Sequence, residues 1–358
     1  MILYLDEDVF ASPRASTLGL LAVFHACFEG RHALITDPPF VAGASPVIDG
    51  WLQTLPEPLR LEVGLVLDEG PRARSQRTAT AQVAAAMRIG DVAASDFRNT
   101  PPTVSLSDAV RIVQTPLRLL LENSRNDGAF LRKIAHPDYR SKLLQALEER
   151  WVELENGGGI GELTHRVKGA AKDPRDHMRL WVMVDSDARE PGVPSEQSER
   201  VVRACQRVAR PGPIPVWRLE RRSIENYIPV RALFAWAELE AGEEKTRLRR
   251  CADAFSKLTE PQRAHYNMKE GLLRDLPKAR RAWYEQHGAD VIDAAELSPL
   301  FARLPEETRR RLHDGFGEDV CALFHDHEPR ARIEEDWLQK EIPYQDRAAL
   351  LQSIFDRL

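Results

Sequence analysis

Asp185 and Asp187 stand one residue apart, immediately after the apolar run Leu180-Trp181-Val182-Met183-Val184. Residues two apart on a strand share a face, and a turn beginning at Ser186 can swing both carboxylates toward one ion. Two carboxylates so placed either hold a divalent cation such as Mg²⁺ through oxygen or repel each other at a cost. The alternative is a strand end whose aspartates cap the following turn. Glu122 ends a second apolar run, Pro116 to Leu121, and reads as metal ligand and general base or as the acceptor of cap hydrogen bonds. Glu225 lies in Arg221-Arg222-Ser223-Ile224-Glu225-Asn226-Tyr227-Ile228-Pro229, after a third strand-like run, Pro213 to Leu219. It is a further ligand or the salt-link partner of Arg221 or Arg222. Acids converging from separate strand ends are the arrangement that cation-assisted phosphoryl chemistry requires.

The elements that must position these acids follow from periodicity. Val182 and Val184 lie in a bulky apolar run typical of a buried parallel strand, and ligands collect outside the carboxyl ends of such strands. A polar turn after Glu122 feeds a helix around Phe130, His136-Pro137-Asp138 breaks the chain, and Ser141 to Glu149 reads as a second helix. Trp151 to Glu155 alternates as a strand and closes on Asn156-Gly157-Gly158-Gly159-Ile160-Gly161 before a helix over Glu162 to Val167. Glycines at that junction let backbone N–H groups approach an anion. No Gly-Lys-Ser/Thr follows, so this is no Walker motif. The β-α-β-α-β-α-β order from 117 to 219 predicts a four-stranded parallel sheet with covering helices.

Strand–Glu122, a Gly-Gly turn and strand–Asp185-x-Asp187 resemble the TOPRIM fold of topoisomerases, bacterial primases and OLD-family nucleases. The resemblance is closest to the OLD-like, stand-alone TOPRIM nucleases of bacterial defence systems, in which a segment like Arg222 to Pro229 follows the Asp-x-Asp strand and a lysine comes later. It spans roughly residues 110 to 275, about half of the chain. The family usually has Gly after the first Glu and an acid four residues on. Here Asn123 follows Glu122, and Asp127 lies five on.

The resemblance implies an α/β fold with a TOPRIM-like core and a two-cation site of Mg²⁺ or Mn²⁺ between Glu122, Asp185, Asp187 and Glu225. Lys269 is the candidate for neutralising charge on the scissile phosphate; the alternative is a solvated lysine near a helix end. It also implies nuclease action on DNA or RNA as an antiphage effector, and an ATPase partner acting in trans, since the chain carries no visible nucleotide-hydrolysing motif. The alternatives are an inactive TOPRIM-like binding or regulatory subunit, and nucleotidyl transfer as in primases.

Three units are expected: an ancillary α/β or mixed domain over 1–105, the TOPRIM-like domain over 110–230, and a helical region over 231–358. In the first, Ile2 to Leu5 reads as a strand ending at Asp6, Ala15 to Phe28 as a helix, and Ala33 to Thr36 as a strand ending at Asp37. Leu61 to Leu67 is a further apolar run with a strand-like ending at Asp68, and Arg72 to Thr80 reads as a surface loop. The strand–acid endings resemble those of a PIN-like nuclease, with the ancillary role preferred.

At 358 residues, 43% hydrophobic and 29% charged, the chain has the composition of an ordinary globular protein. No run approaches the roughly 18 apolar residues of a membrane span. The acidic start, Met1 to Asp8, lacks the basic region of a signal peptide. Cys27, Cys205, Cys251 and Cys321 are scattered without a C-x-x-C pair, which argues against zinc and for a reducing cytoplasm. A net charge of −5 is not that of a general nucleic-acid coat. Arg203, Arg207, Arg210, Arg218, Arg221 and Arg222 nevertheless crowd the approach to Glu225, either to hold phosphates or as a solvated face balanced by Glu196, Glu199 and Glu220. His136, His165 and His265 show no zinc spacing, and His325-Asp326-His327 reads as surface.

Overall fold

A computed structural model describes residues 1–76, 85–326 and 333–358. Two four-stranded sheets organise it, and every ladder in both is parallel. The first runs β2-β1-β3-β4, built from β1 (Ile2–Asp6), β2 (Ala33–Asp37), β3 (Ala86–Ile89) and β4 (Thr103–Val104). The second runs β6-β5-β7-β8, built from β5 (Leu117–Leu121), β6 (Val152–Asn156), β7 (Leu180–Val184) and β8 (Val216–Arg218).

The second sheet has helices on both faces. On one, Leu120, Val182 and Val184 pack against Leu163 and Val201 of the helices Ile160–Ala170 and Glu196–Gln206. On the other, Leu119, Trp181 and Met183 share a single core with Phe255, Leu351 and Phe355. Among the described residues the helical region beyond 231 therefore has no separate core beside the sheet; with the helices Ser124–Ile134 and Pro137–Glu148 it forms one of the sheet's two covering layers. Trp181 Nε1–H donates to Ser353 Oγ at 3.1 Å, and Arg179 Nη1 to the Arg357 carbonyl at 2.8 Å, so this layer is also pinned by polar contacts. The helix Leu106–Gln114, capped by Ser105, belongs to the first core, where Ile112 and Val113 pack with Leu3 and Leu5.

The chain leaves β5 for β6 on one side and returns to β7 on the other. The strand order thus reverses between β5 and β7, and a crevice opens there at the carboxyl ends. Leu120 pairs with Val182, so Glu122 comes level with Val184, one residue short of Asp185.

Several sequence expectations change. Leu61 to Leu67 is not a strand but part of the helix Glu57–Ser75. Val63, Val66, Leu67 and Gly70 are buried at helical spacing, whereas Leu61 and Leu65 are 62% and 56% exposed. Asp68 consequently ends no strand. The same helix absorbs Arg72 and Arg74, which were expected in a loop; residues 77–80 of that expectation lie outside the described residues. The helix expected from Ser141 starts at Pro137, since His136 caps it by accepting the Asp138 N–H and proline suits a first helical turn. The run Pro213 to Leu219 forms strand only over Val216–Arg218. The first unit is a parallel α/β sheet, which settles the choice between α/β and mixed.

Gly70 lets the Glu57–Ser75 helix lie against β2. A Cβ there would stand 1.8 Å from the Leu34 carbonyl oxygen. Gly70→Ala must push the helix off the sheet, and the expected cost is about 2 kcal/mol, the scale of an overpacked core. Urea unfolding with an unchanged midpoint would refute this account of the contact.

Candidate metal-binding acidic centre

The structure gathers all five sequence-derived candidates at the crevice between β5 and β7. Glu122 follows β5 directly, and Asn123 begins the next helix by accepting the Arg125 and Asn126 N–H groups at 3.1 and 3.2 Å. The Gly157–Gly159 turn after β6 passes beside it. Gly157 donates to the Leu121 carbonyl at 2.6 Å, a Cβ on Gly157 would stand 2.6 Å from that oxygen, and Gly159 donates to the Glu122 carbonyl at 3.2 Å. The Ile160 N–H, at the start of the next helix, lies near the Glu122 carboxylate and favours its ionised form. The anion expected at this glycine turn is therefore Glu122 itself, received by a helix amino terminus.

Asp185 and Asp187 follow β7. Asp187 sits at φ 48°, a left-handed conformation that aspartate tolerates better than most residues. Its N–H donates to the Arg222 carbonyl at 2.8 Å, and Ser186 Oγ donates to the Arg221 carbonyl at 2.7 Å. Glu225 is not on β8 but on the 3₁₀ turn Ile224–Tyr227 beyond it, where it is only 2% exposed. Asn226 fixes that turn: its Oδ1 accepts the Ser223 N–H and hydroxyl, and its amide donates to the Arg263 and Tyr266 carbonyls. Those carbonyls precede Lys269, whose Nζ meets Glu225 Oε1 at 3.0 Å. Glu225 thus pairs with Lys269 rather than with Arg221 or Arg222. The Lys269 backbone is equally fixed, since its carbonyl accepts the Gly317 N–H at 2.9 Å.

Asp127 completes the cluster and was not among the sequence candidates. Buried on the first turn of its helix, it accepts the Asn123 N–H at 2.9 Å and adds its charge to those around Asp185. The signal was present: Asp127 is one turn beyond Glu122 and so lies on the side of the helix facing the strand end.

Negative charge is in excess here. Burial, then Asp187 and Asp127, push the Glu122 carboxyl from its ordinary 4.5 to about 7. Burial raises Asp127 to about 6. Asp185 is held well above the carboxylate range by burial and by Glu225, Asp127, Glu122 and Asp187 around it. Asp187 opens to solvent, yet surrounding protein displaces enough water to raise it, against the opposing charges of Arg222 and Lys269. Burial alone would lower Lys269, but the Glu225 carboxylate prevails and keeps the ammonium protonated.

Of the two arrangements expected for the arginines, the ion-paired one holds for Arg203 and Arg218, which both pair with Glu199. Arg222 makes a two-pronged pair with Asp275 at 2.7 and 2.8 Å. Arg221 donates to the Asn226 and Glu341 carbonyls and lies over the Tyr227 ring. Arg218, Arg221 and Arg222 hold the framework of the centre together. Arg203, Arg207 and Arg210 lie around a different cleft. His325 contacts Asn126 Oδ1 at 3.0 Å, and Asp326 pairs with Lys133 at 2.7 Å; His327 lies outside the described residues.

The first sheet offers a contrast. Asp6 and Asp37, at the carboxyl ends of β1 and β2, both bind Arg88, whose guanidinium bridges them. Burial raises Asp6, and Arg88 opposes that.

Among the described residues, no group of three or more His, Cys, Asp or Glu side chains already stands close enough to hold a metal ion. The residues nevertheless fit a divalent cation in kind and charge. All donors are hard carboxylate oxygens, and a cation would offset the burial and crowding that raise Glu122, Asp127, Asp185 and Asp187. Among the described residues, no helix is long and apolar enough to cross a membrane. Compared with protein-family models, curated proteins and solved structures, the chain finds no match.

Proposed function

We propose that the chain is a divalent-metal-dependent phosphodiesterase that cuts nucleic acid, with a TOPRIM-like second sheet. The observation that carries this reading is the convergence of Glu122, Asp185, Asp187, Glu225 and Lys269 on one crevice from four separate stretches of chain. Glu122, Asp185, Asp187 and Glu225 would hold Mg²⁺ or Mn²⁺, with Asp127 beside them. A cation there supplies Lewis acidity toward the phosphodiester and its leaving oxygen. Glu122 would accept the proton of the attacking water at its carboxylate oxygen. Lys269, held by Glu225, sets a fixed positive charge where the phosphate gains negative charge. Action as an antiphage effector, with an ATPase acting in trans, rests on the sequence resemblance.

The direct test is conversion of supercoiled plasmid to nicked or linear forms under Mg²⁺ and Mn²⁺, with RNA assayed in parallel. Cutting of either polymer that EDTA abolishes is expected. A binding or regulatory subunit is the second reading, favoured by the Lys269–Glu225 pair, which already neutralises one candidate ligand. Nucleic acid bound but never cut, with either ion, would select that reading.

The same assay separates the two sheets. Arg88 bridges Asp6 and Asp37 and occupies both carboxylates, so the first sheet is read as ancillary rather than as a PIN-like nuclease. Asp6→Ala is expected to leave cation-dependent cutting within about twofold of wild type, as for a surface change away from the chemistry. A loss equal to that of Asp185→Ala, in a folded protein, would make the first sheet a second nuclease.

A further inference from the structure

A basic cleft of about 600 Å³ opens between the helices Ile160–Ala170 and Glu196–Gln206, well away from the acids. Thr164 and Lys168 line it from the first helix, and Arg200, Arg203, Arg207 and Arg210 from the second helix and the turn after it. All five basic side chains are exposed, and no acidic residue lines the cleft. Glu196 and Glu199 pair with Arg200 and Arg203 from its margin at 2.5 and 3.7 Å. Lys168, Arg207 and Arg210 have no ion-pair partner among the described residues. In a chain of net charge −5, this is a concentrated local excess of positive charge.

Position adds meaning to the charge. Both helices start beside the acidic centre: Gly159 N–H, just before the first, donates to the Glu122 carbonyl at 3.2 Å, and Ser195 N–H to the Ser186 carbonyl at 2.8 Å. Both end at the cleft. At 1.5 Å of rise per residue, Lys168 is about 12 Å and Arg207 about 17 Å along the helices from those starts. Duplex DNA rises ~3.4 Å per base step, so about five steps would bridge acids and cleft. Spaced arginines and lysines with no base-reading partner suit phosphate oxygens, which position a strand without specifying its sequence.

We infer that this cleft is a sequence-independent contact for the phosphodiester backbone of duplex DNA, on the flank of the strand engaged at the acidic centre. The engagement at the centre rests on the proposed function; the contact itself requires only binding. Phosphates seated between Arg207, Arg210 and Lys168 release condensed cations, so affinity falls steeply with salt.

The test uses the full chain carrying Asp185→Asn, in EDTA, so that neither ions nor cutting enter. A fluorescent duplex of about 20 base pairs, long enough to span both regions, is titrated by anisotropy over a range of salt. A second protein adds Lys168→Glu, Arg207→Glu and Arg210→Glu, exposed positions whose reversal leaves the core untouched. The expected result is at least about tenfold weaker binding and a salt slope smaller by about 2 to 3, from ~0.9 per phosphate contact. Exchanging the same positions for the other basic residue (Lys168→Arg, Arg207→Lys, Arg210→Lys) should restore both. Unchanged affinity and slope in the reversed protein, or no binding by its parent, overturns the inference. A protein that binds through the cleft but whose wild type never cuts leaves this inference standing and removes the proposed function. One that cuts yet binds equally well after reversal does the opposite.

Discussion

Asp185→Asn is expected to reduce cation-dependent cutting by roughly a hundred- to a thousandfold, the loss typical of removing one preorganised electrostatic group. Its folded structure should be at least as stable as the parent. The Asp185 carboxyl carries the strongest upward pressure in the centre, from burial and four neighbouring acids. Its charge is useful only when a cation compensates it, and without one the fold is better off with a neutral amide of the same shape. Activity and stability should therefore move in opposite directions. The measurement is a pair: single-turnover plasmid cutting, and thermal unfolding in EDTA. If the variant unfolds at markedly lower temperature and wild-type calorimetry detects no divalent cation, Asp185 has a structural role and the catalytic assignment falls.

The second large effect is on stability as a function of pH. Glu122 has its folded-state pKa raised from 4.5 to about 7. Below pH 4.5 it is protonated in both folded and unfolded chains and contributes no difference. Between 4.5 and 7 the unfolded chain releases the proton first, so stability is lost as pH rises; above 7 the loss is complete. At 1.36 kcal/mol per pKa unit this amounts to about 3 kcal/mol, since the group is mostly screened from water. Wild type and Glu122→Gln should thus be equally stable at acid pH. In EDTA near pH 8, wild type should be the weaker by about that amount. Mg²⁺ should close the gap from the wild-type side, because a bound cation favours the ionised carboxylate. Parallel stability curves from pH 4 to 8, with or without Mg²⁺, would contradict the crowded-acid account.

The second sheet was legible in the sequence because its two central strands are short, mostly apolar and punctuated. Leu117–Leu121 and Leu180–Val184 are buried on both faces, and each is followed at once by the residue types that mark a site. Register did the rest, since parallel pairing of Leu120 with Val182 brings the two strand ends level. Leu61 to Leu67 misled because apolar residues there serve two environments. Val63, Val66 and Leu67 face the core, while Leu61 and Leu65 lie in solvent, so the run is continuous in sequence but helical in space. The arginines before Glu225 left two readings open, because charge adjacent in sequence need not be adjacent in space. Arg203 and Arg218 pair with Glu199, Arg222 turns to Asp275, and Arg207 lies a helix length away. The Lys269–Glu225 pair depends on Asn226 reaching the Arg263 and Tyr266 carbonyls, a tertiary contact with no local periodicity to reveal it.

The shared core of the second sheet and the later helices bears on how the molecule comes into being. Glu122 and Asp185 leave the ribosome long before Lys269, and longer still before Ser353 and Arg357, which lock onto Trp181 and Arg179. The apolar face carrying Leu119 and Trp181 is only partly covered, by Phe130, Ile134 and Leu143, until those later segments are made. A nascent chain therefore carries its acids before Lys269 and before the last part of their covering layer. The acidic centre is complete only once the segment around Ser353 has been translated and packed.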